Sequence, residues 1–148
     1  MKQKFSAHWK GSKQTRKQRK YRANAPITLK RKMLSAHLDK ELRKKYGKRS
    51  FPIRKGDLVK ITFGKNKGKK GKVSVVNIRK FRVAIEGIQI SRKDGTKVNL
   101  WFEPSNLLIQ ELELNDKKRM KALVRKASEV KKTKKEEKEN AQNKTKHK

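Results

Sequence analysis

Apolar positions change their spacing several times along this chain, and each change marks a different kind of element. In Met1–Arg22, Phe5, Trp9 and Tyr21 stand among basic residues with neither helical nor strand periodicity, so this arm is expected to lack stable structure by itself. From Asn24 the pattern turns helical: Pro26 suits a first turn, and Leu29, Met33 and Ala36 fall at i, i+4 and i+7. A second short helix follows. Asp39 is placed to cap it, Leu42 and Tyr46 pair at i, i+4, and Gly47 supplies the left-handed residue that ends it. Arg43, Lys44 and Lys45 fall at the negative end of its dipole, which accounts for them structurally.

The middle of the chain reads as strands. Asp57–Phe63 is the first, with Leu58, Val59, Ile61 and Phe63 as its apolar positions; Gly71–Ile78 and Phe81–Ile85 are the second and third. Ile88–Arg92 and Lys97–Trp101 form a hairpin around Lys93, Asp94, Gly95 and Thr96, where Asp-Gly favours a tight turn with both central residues at positive φ. After Pro104, the run Leu107, Leu108 and Ile109 completes the set. Strands this closely spaced leave no room for crossover helices, so the sheet is expected to be antiparallel. Closing it removes exposed edges, which favours a small barrel over an open sheet. Beyond it Asn115 or Asp116 is placed to cap a third helix, along which Met120, Leu123, Val124, Ala127 and Val130 make one apolar stripe. From Lys131 no large apolar residue occurs, and that tail is expected to be disordered.

Composition sharpens this into domains. Lys and Arg number 18 against 2 acids in residues 1–50, 14 against 6 in 51–114, and 14 against 5 in 115–148, so only the middle can bury a core. The expected organisation is therefore a mainly β protein: a basic extension with two short helices (1–50), a small antiparallel barrel (51–114), and a helix with a disordered lysine-rich tail (115–148).

Charge then names the partner. With 46 Lys plus Arg against 13 Asp plus Glu, the 148-residue chain carries +33 formal charges and repels itself unless a polyanion neutralises it. Nucleic acid fits best. No apolar run approaches the roughly 20 residues of a membrane span, no amphipathic segment has an aromatic-rich face, and no secretory signal is expected at the basic N-terminus. The absence of cysteine excludes disulfides and thiolate chemistry, and fits a reducing compartment.

The densest candidate site is RKGDLVKITFGKNKGKKGKV, Arg54–Val73. Gly56, Gly64, Gly68 and Gly71 interrupt it where a chain turns sharply or lets another backbone approach, and Lys65, Lys67, Lys69, Lys70 and Lys72 crowd like charges that must face water or an anion. It is not a nucleotide-binding loop, since that motif needs glycine where Lys69 stands and a Ser or Thr for magnesium. His8, His37 and His147 are scattered, so no metal triad or catalytic pair is suggested and no cofactor or small-molecule substrate is expected. The arm's Arg16, Arg19 and Arg22 are suited to fork onto phosphates. Its Trp9 and Tyr21 either stack on bases or tuck onto the domain surface.

The segment GDLVKITFGKNKGKKGKV resembles the KOW motif, with Gly56, Asp57, Val59, Gly64, Lys67, Gly68, Gly71 and Val73 at the expected offsets. The flanks NAPITLKRKMLSAHLDKELRKKYGKRSFPIRKGD, VAIEGIQISRKDGTKV and EPSNLLIQELELND extend the resemblance from about Tyr21 to Lys126. Together they are similar to the large-subunit ribosomal protein family numbered twenty-four in bacteria and archaea and twenty-six in eukaryotes, and the compact loop looks archaeal. The resemblance implies an SH3-like barrel on the first domain of the large-subunit ribosomal RNA, near the exit of the peptide tunnel, with a role in early assembly. It implies a cytoplasmic location in the large subunit, with neighbouring ribosomal proteins as further partners.

By position, Gly71 is the family's motif glycine, the Gly64–Gly68 loop is expected against RNA, and the hairpin at Asp94 and Gly95 matches a projecting one. The residues expected to meet RNA are Arg16, Arg19, Arg22, Lys30, Arg31, Lys32, His37, Arg54, Lys65, Asn66, Lys67, Lys69, Lys70, Lys72, Arg79, Arg82, Arg92 and Lys93. The chain departs from the family at Trp101, Phe102 and Glu103, ahead of Pro104, and these rings belong either to the core or to a contact patch. Two other classes compete, a KOW-bearing transcription elongation module and an architectural DNA-binding protein.

Overall fold

A computed structural model describes residues 4–124. Seven strands run in chain order as β1 Ser35–Leu38, β2 Ser50–Pro52, β3 Leu58–Ile61, β4 Lys70–Asn77, β5 Arg82–Ser91, β6 Lys97–Phe102 and β7 Leu107–Glu111. The helices are α1 Thr15–Asn24, α2 Ile27–Met33, α3 Lys40–Tyr46 and α4, residues 117–124 as far as it is described. None of these helices is long and apolar enough to cross a membrane.

The strands pair in the order β2-β1-β7-β3-β4-β5-β6, a mainly β, small barrel-like arrangement as the alternation implied. Buried Val59, Ile61, Val73, Val83, Leu107 and Ile109 form its core, joined by Leu38 from β1 and Leu123 from α4. One expectation changes: the sheet is mixed, because β1 runs parallel to β7 with Leu38 opposite Ile109. These segments lie some seventy positions apart, so no hairpin dictates their direction. The Asp39 N–H donates to the Ile109 carbonyl at 2.9 Å and sets the register.

Several local expectations are corrected by long-range partners. Ala36, expected on the helix of Leu29 and Met33, is instead buried in β1, because the Ile53 N–H donates to the Leu34 carbonyl at 2.9 Å and draws the chain into the ladder. Residues 35–38, expected in an extension apart from the barrel, thus lie within the sheet order. The two strands expected at Phe81–Ile85 and Ile88–Arg92 are one strand, β5, whose register shifts between Ala84 and Gln89 around Gly87 at φ 76°. In the β5–β6 turn only Gly95 has positive φ, at 81°. Arg92 and Thr96 pair there across a longer loop, so the two-residue turn with Asp94 also at positive φ is not formed.

The first arm is not bare coil. It carries a 3₁₀ turn at Ala7–Gly11 and then α1, held by contacts that leave no periodic trace in the sequence. Buried Tyr21 meets the Phe5 ring at 5.2 Å, and the Gln18 side-chain amide donates to the Ser12 carbonyl at 2.5 Å. Of the two surface-ring readings, tucking describes Tyr21. Phe102 packs against the core, while Trp101 is half-buried opposite Ala84.

The cap of α3 follows the sequence: the Asp39 carboxylate accepts the Lys40 N–H at 2.6 Å and Gly47 ends the helix at φ 62°. In α4 the Asp116 carboxylate accepts the Lys118 N–H at 2.7 Å. The expected apolar stripe divides there, with Leu123 fully buried but Met120 and Val124 exposed; Ala127, Val130 and the lysine-rich tail lie outside the described residues.

What α4 also buries is a charge. Asp57 is fully buried and Arg119 is 3% exposed, and the two guanidinium Nη groups each donate to a carboxylate oxygen at 2.7 Å. The same carboxylate accepts the Arg54 and Glu113 N–H groups at 2.8 and 3.0 Å, and the guanidinium also donates to the Glu113 and Pro52 carbonyls. Lys48 donates to the Ala122 carbonyl as well, and both Lys48 and Arg119 stand over the Phe51 ring. Removing one member of a buried pair leaves an uncompensated charge, worth about 3–5 kcal/mol. Arg119→Ala is expected to lower stability by that order in a urea titration; an unchanged midpoint contradicts the assignment.

Gly71 sits in β4, opposite Val59 of β3. A Cβ there would stand 2.6 Å from Ile85 Cγ2 and 3.0 Å from the Glu86 carbonyl oxygen, so the Ile85 side chain and the β5 backbone would both have to shift. Gly71→Val is expected to cost about 1–3 kcal/mol through overpacking, read as a lowered Tm, and a native Tm refutes the crowding.

Candidate nucleic-acid interface

The loop between β3 and β4 is built by two closures. The Gly68 N–H donates to the Ile61 carbonyl at 2.8 Å and the Ile61 N–H to the Lys69 carbonyl at 2.9 Å, ending the paired part of β3 at Ile61. The Thr62 N–H and hydroxyl both donate to the Asn106 carbonyl at 2.9 Å, which ties the loop root to the 3₁₀ turn Pro104–Asn106. Phe63 is therefore not the continuing apolar position of a strand ending at residue 63. It is turned out to solvent, 74% exposed.

Gly64 and Gly68, at φ 90° and 89°, make the bends that any β-carbon would strain, and the space around each is open. Between and beyond them Lys65, Lys67, Lys69, Lys70 and Lys72 are all exposed, with Asn66 half-buried. No residue from Thr62 to Lys72 is acidic, and none of the five lysines pairs with an acidic side chain among the described residues. The loop thus presents a concentrated positive field on a backbone fixed by hydrogen bonds. It is shaped to receive an anion with several charges in a row.

A second basic surface joins segments that are distant in sequence. Arg31 and Lys32 of α2, Arg54 and Lys55 before β3, and the outer face of β4 line a groove of about 880 Å³ whose floor includes Val75 and Val76. Lys30 and Arg79 border an adjoining cavity of about 470 Å³ over the same valines. Lys55 was not among the expected residues, although its neighbour Arg54 was.

Some expected RNA ligands already have protein partners. Arg54 pairs with Asp116 at 2.5 Å, and this hydrogen bond, with the Lys118 N–H, holds the Asp116 carboxyl below its ordinary range. Arg82 lies 3.6 Å from Glu103, Lys30 donates to the Ala23 carbonyl, and Arg22 stands 5.5 Å over the Phe81 ring. Arg16 and Arg19 are exposed on α1. Arg92 and Lys93 are exposed on the β5–β6 turn, where the Thr96 hydroxyl and N–H lower the Asp94 carboxyl from its ordinary range. His37 is half-buried in β1 between β2 and β7 and lines neither groove.

Comparison with known proteins gives the same direction. A family model described as the ribosomal proteins called L26 in eukaryotes, together with their archaeal counterparts of the L24 type, matches residues 12–126, which takes in α1, all seven strands and the described part of α4. A protein named large ribosomal subunit protein uL24, from Methanosphaera stadtmanae, is 42% identical over 115 residues, covering 78% of this chain and 98% of its own. With the lysine loop, its glycine bends and the mixed barrel-like sheet in hand, the chain belongs to this ribosomal protein family, called L26 in eukaryotes and numbered twenty-four in archaea.

Proposed function

We propose that this protein binds large-subunit ribosomal RNA with the 62–69 loop and the start of β4 as its principal phosphate contact, oriented by the barrel and extended in reach by its basic arms. The observation that carries this is the set of five exposed lysines, unpaired with acids among the described residues, on the hydrogen-bonded loop and the first residues of β4. As a member of its family the chain is a structural constituent of the large ribosomal subunit, in the cytoplasm. The family resemblance supports the finer reading, in which the first domain of that RNA near the tunnel exit is the target and the protein assists early assembly beside other ribosomal proteins.

Such binding is dominated by phosphate, because each neutralised phosphate releases counterions. The deep A-form groove excludes side chains, so selectivity comes from RNA shape and from unpaired bases. The groove beneath α2, with Arg31, Lys32 and Lys55, offers a second strand of contact.

Replacing Lys65, Lys67, Lys69 and Lys70 together by Ala is expected to weaken binding of a domain-one transcript and to lower the slope of log affinity against log salt by about 3, at roughly 0.7 to 0.9 per contact. The Tm of that variant is expected to stay native. A filter-binding titration in which affinity does not change contradicts the assignment, and equal competition by duplex DNA favours an architectural DNA-binding role.

A further inference from the structure

The chain holds nine aromatic residues, and all nine lie among the described ones. Eight are buried or half-buried, and Phe63 alone is exposed, more so than any other large apolar side chain described. Its position is fixed rather than incidental. Thr62 before it is bonded twice to Asn106, and Gly64 after it begins the bend that carries the lysines. A large apolar ring is thereby held in water on the same loop as Lys65, Lys67 and Lys69, where hydrophobic burial alone would have turned it inward.

The neighbours state what the ring faces. With no acid between Thr62 and Lys72, the surface selects a polyanion, and the polyanion must also offer a flat apolar face within reach of its charges. An unpaired nucleobase flanked by its phosphates has both properties, and a base-paired duplex hides the face. The arm's rings are poorer candidates. Tyr21 is buried against Phe5, and Trp9 is half-buried beneath Lys20 at 5.9 Å.

We propose that Phe63 stacks on an unpaired base of the ribosomal RNA while the loop lysines hold the phosphates on either side, so that this one ring makes the loop select a bulged or looped strand over a duplex. The inference rests on the RNA-binding reading above and assigns the selectivity of that loop to a single side chain.

The test uses the full chain and a transcript of the first domain of an archaeal large-subunit ribosomal RNA. Phe63→Ala is expected to weaken binding about ten-fold, as loss of one base stack does, while leaving the salt slope unchanged; Phe63→Tyr restores affinity. In Phe63→Trp, addition of the transcript quenches more tryptophan fluorescence than in the unaltered protein, and a fully paired RNA duplex does not. The proposal is overturned if the Ala variant binds as the unaltered protein does, or if the Trp variant shows no added quenching. If the unaltered protein itself fails to bind, the RNA-binding reading falls first and this one with it. Loss of affinity with a changed salt slope and no added quenching assigns Phe63 to loop geometry and also overturns stacking.

Discussion

The Asp57 carboxylate is the constraint on which the rest of the structure depends. It accepts the Arg54 and Glu113 N–H groups and both Nη donors of Arg119, and so gathers the approach to β3, the segment after β7 and the start of α4 at one point. In a chain of +33 formal charge, a buried anion is well placed to hold a cationic helix against a cationic sheet. Arg119 completes the junction by donating to the Pro52 and Glu113 carbonyls, while Leu123, one helical turn onward, enters the core. The polar tie fixes where α4 lies and the apolar contact supplies burial.

That frame explains how so basic a chain keeps a defined surface. The interior takes up Leu38, Val59, Ile61, Val73, Val83, Ile85, Leu107 and Ile109, and charge that cannot be neutralised internally is pushed to the loop, the hairpin and the α2 groove. A few cations are used at home, as Arg54 on Asp116 and Arg43 on the Leu38 carbonyl show. The loop lysines have no such occupation among the described residues. The cations that tie the fold together are thus not those of the loop, so loop charges can be removed without touching the core.

Much of this was legible in the sequence because its causes are local. Strand alternation in β3, β4 and β6, the cap at Asp39 and the closing Gly47 need only a few neighbouring residues to be recognised. What stayed hidden was decided far away. Ser35–Leu38 is too short to show a period, and its strand identity comes from Phe51 and Ile109. Arg119 looks like one more surface cation of a basic helix until it meets Asp57, 62 positions earlier. Phe63 continues the alternation of Val59 and Ile61 in sequence, and only the bonds from Thr62 to Asn106 and from Gly68 to Ile61 end the strand before it. Within the candidate site, the lysine loop could be read directly, whereas the meeting of Arg31, Lys32, Arg54 and Lys55 around one groove could not.

If a rigidly framed barrel meets RNA chiefly through its pre-shaped loop, binding must leave its mark first on the backbone amides of that loop. Amide hydrogen exchange of the full chain, with and without a domain-one ribosomal RNA transcript, reads those amides. Exchange of the Phe63–Asn66 amides is expected to slow strongly when the transcript binds, while that of the already buried β3 amides changes little. Protection confined to other segments, with the loop amides exchanging as fast in the complex as in the free protein, would contradict it.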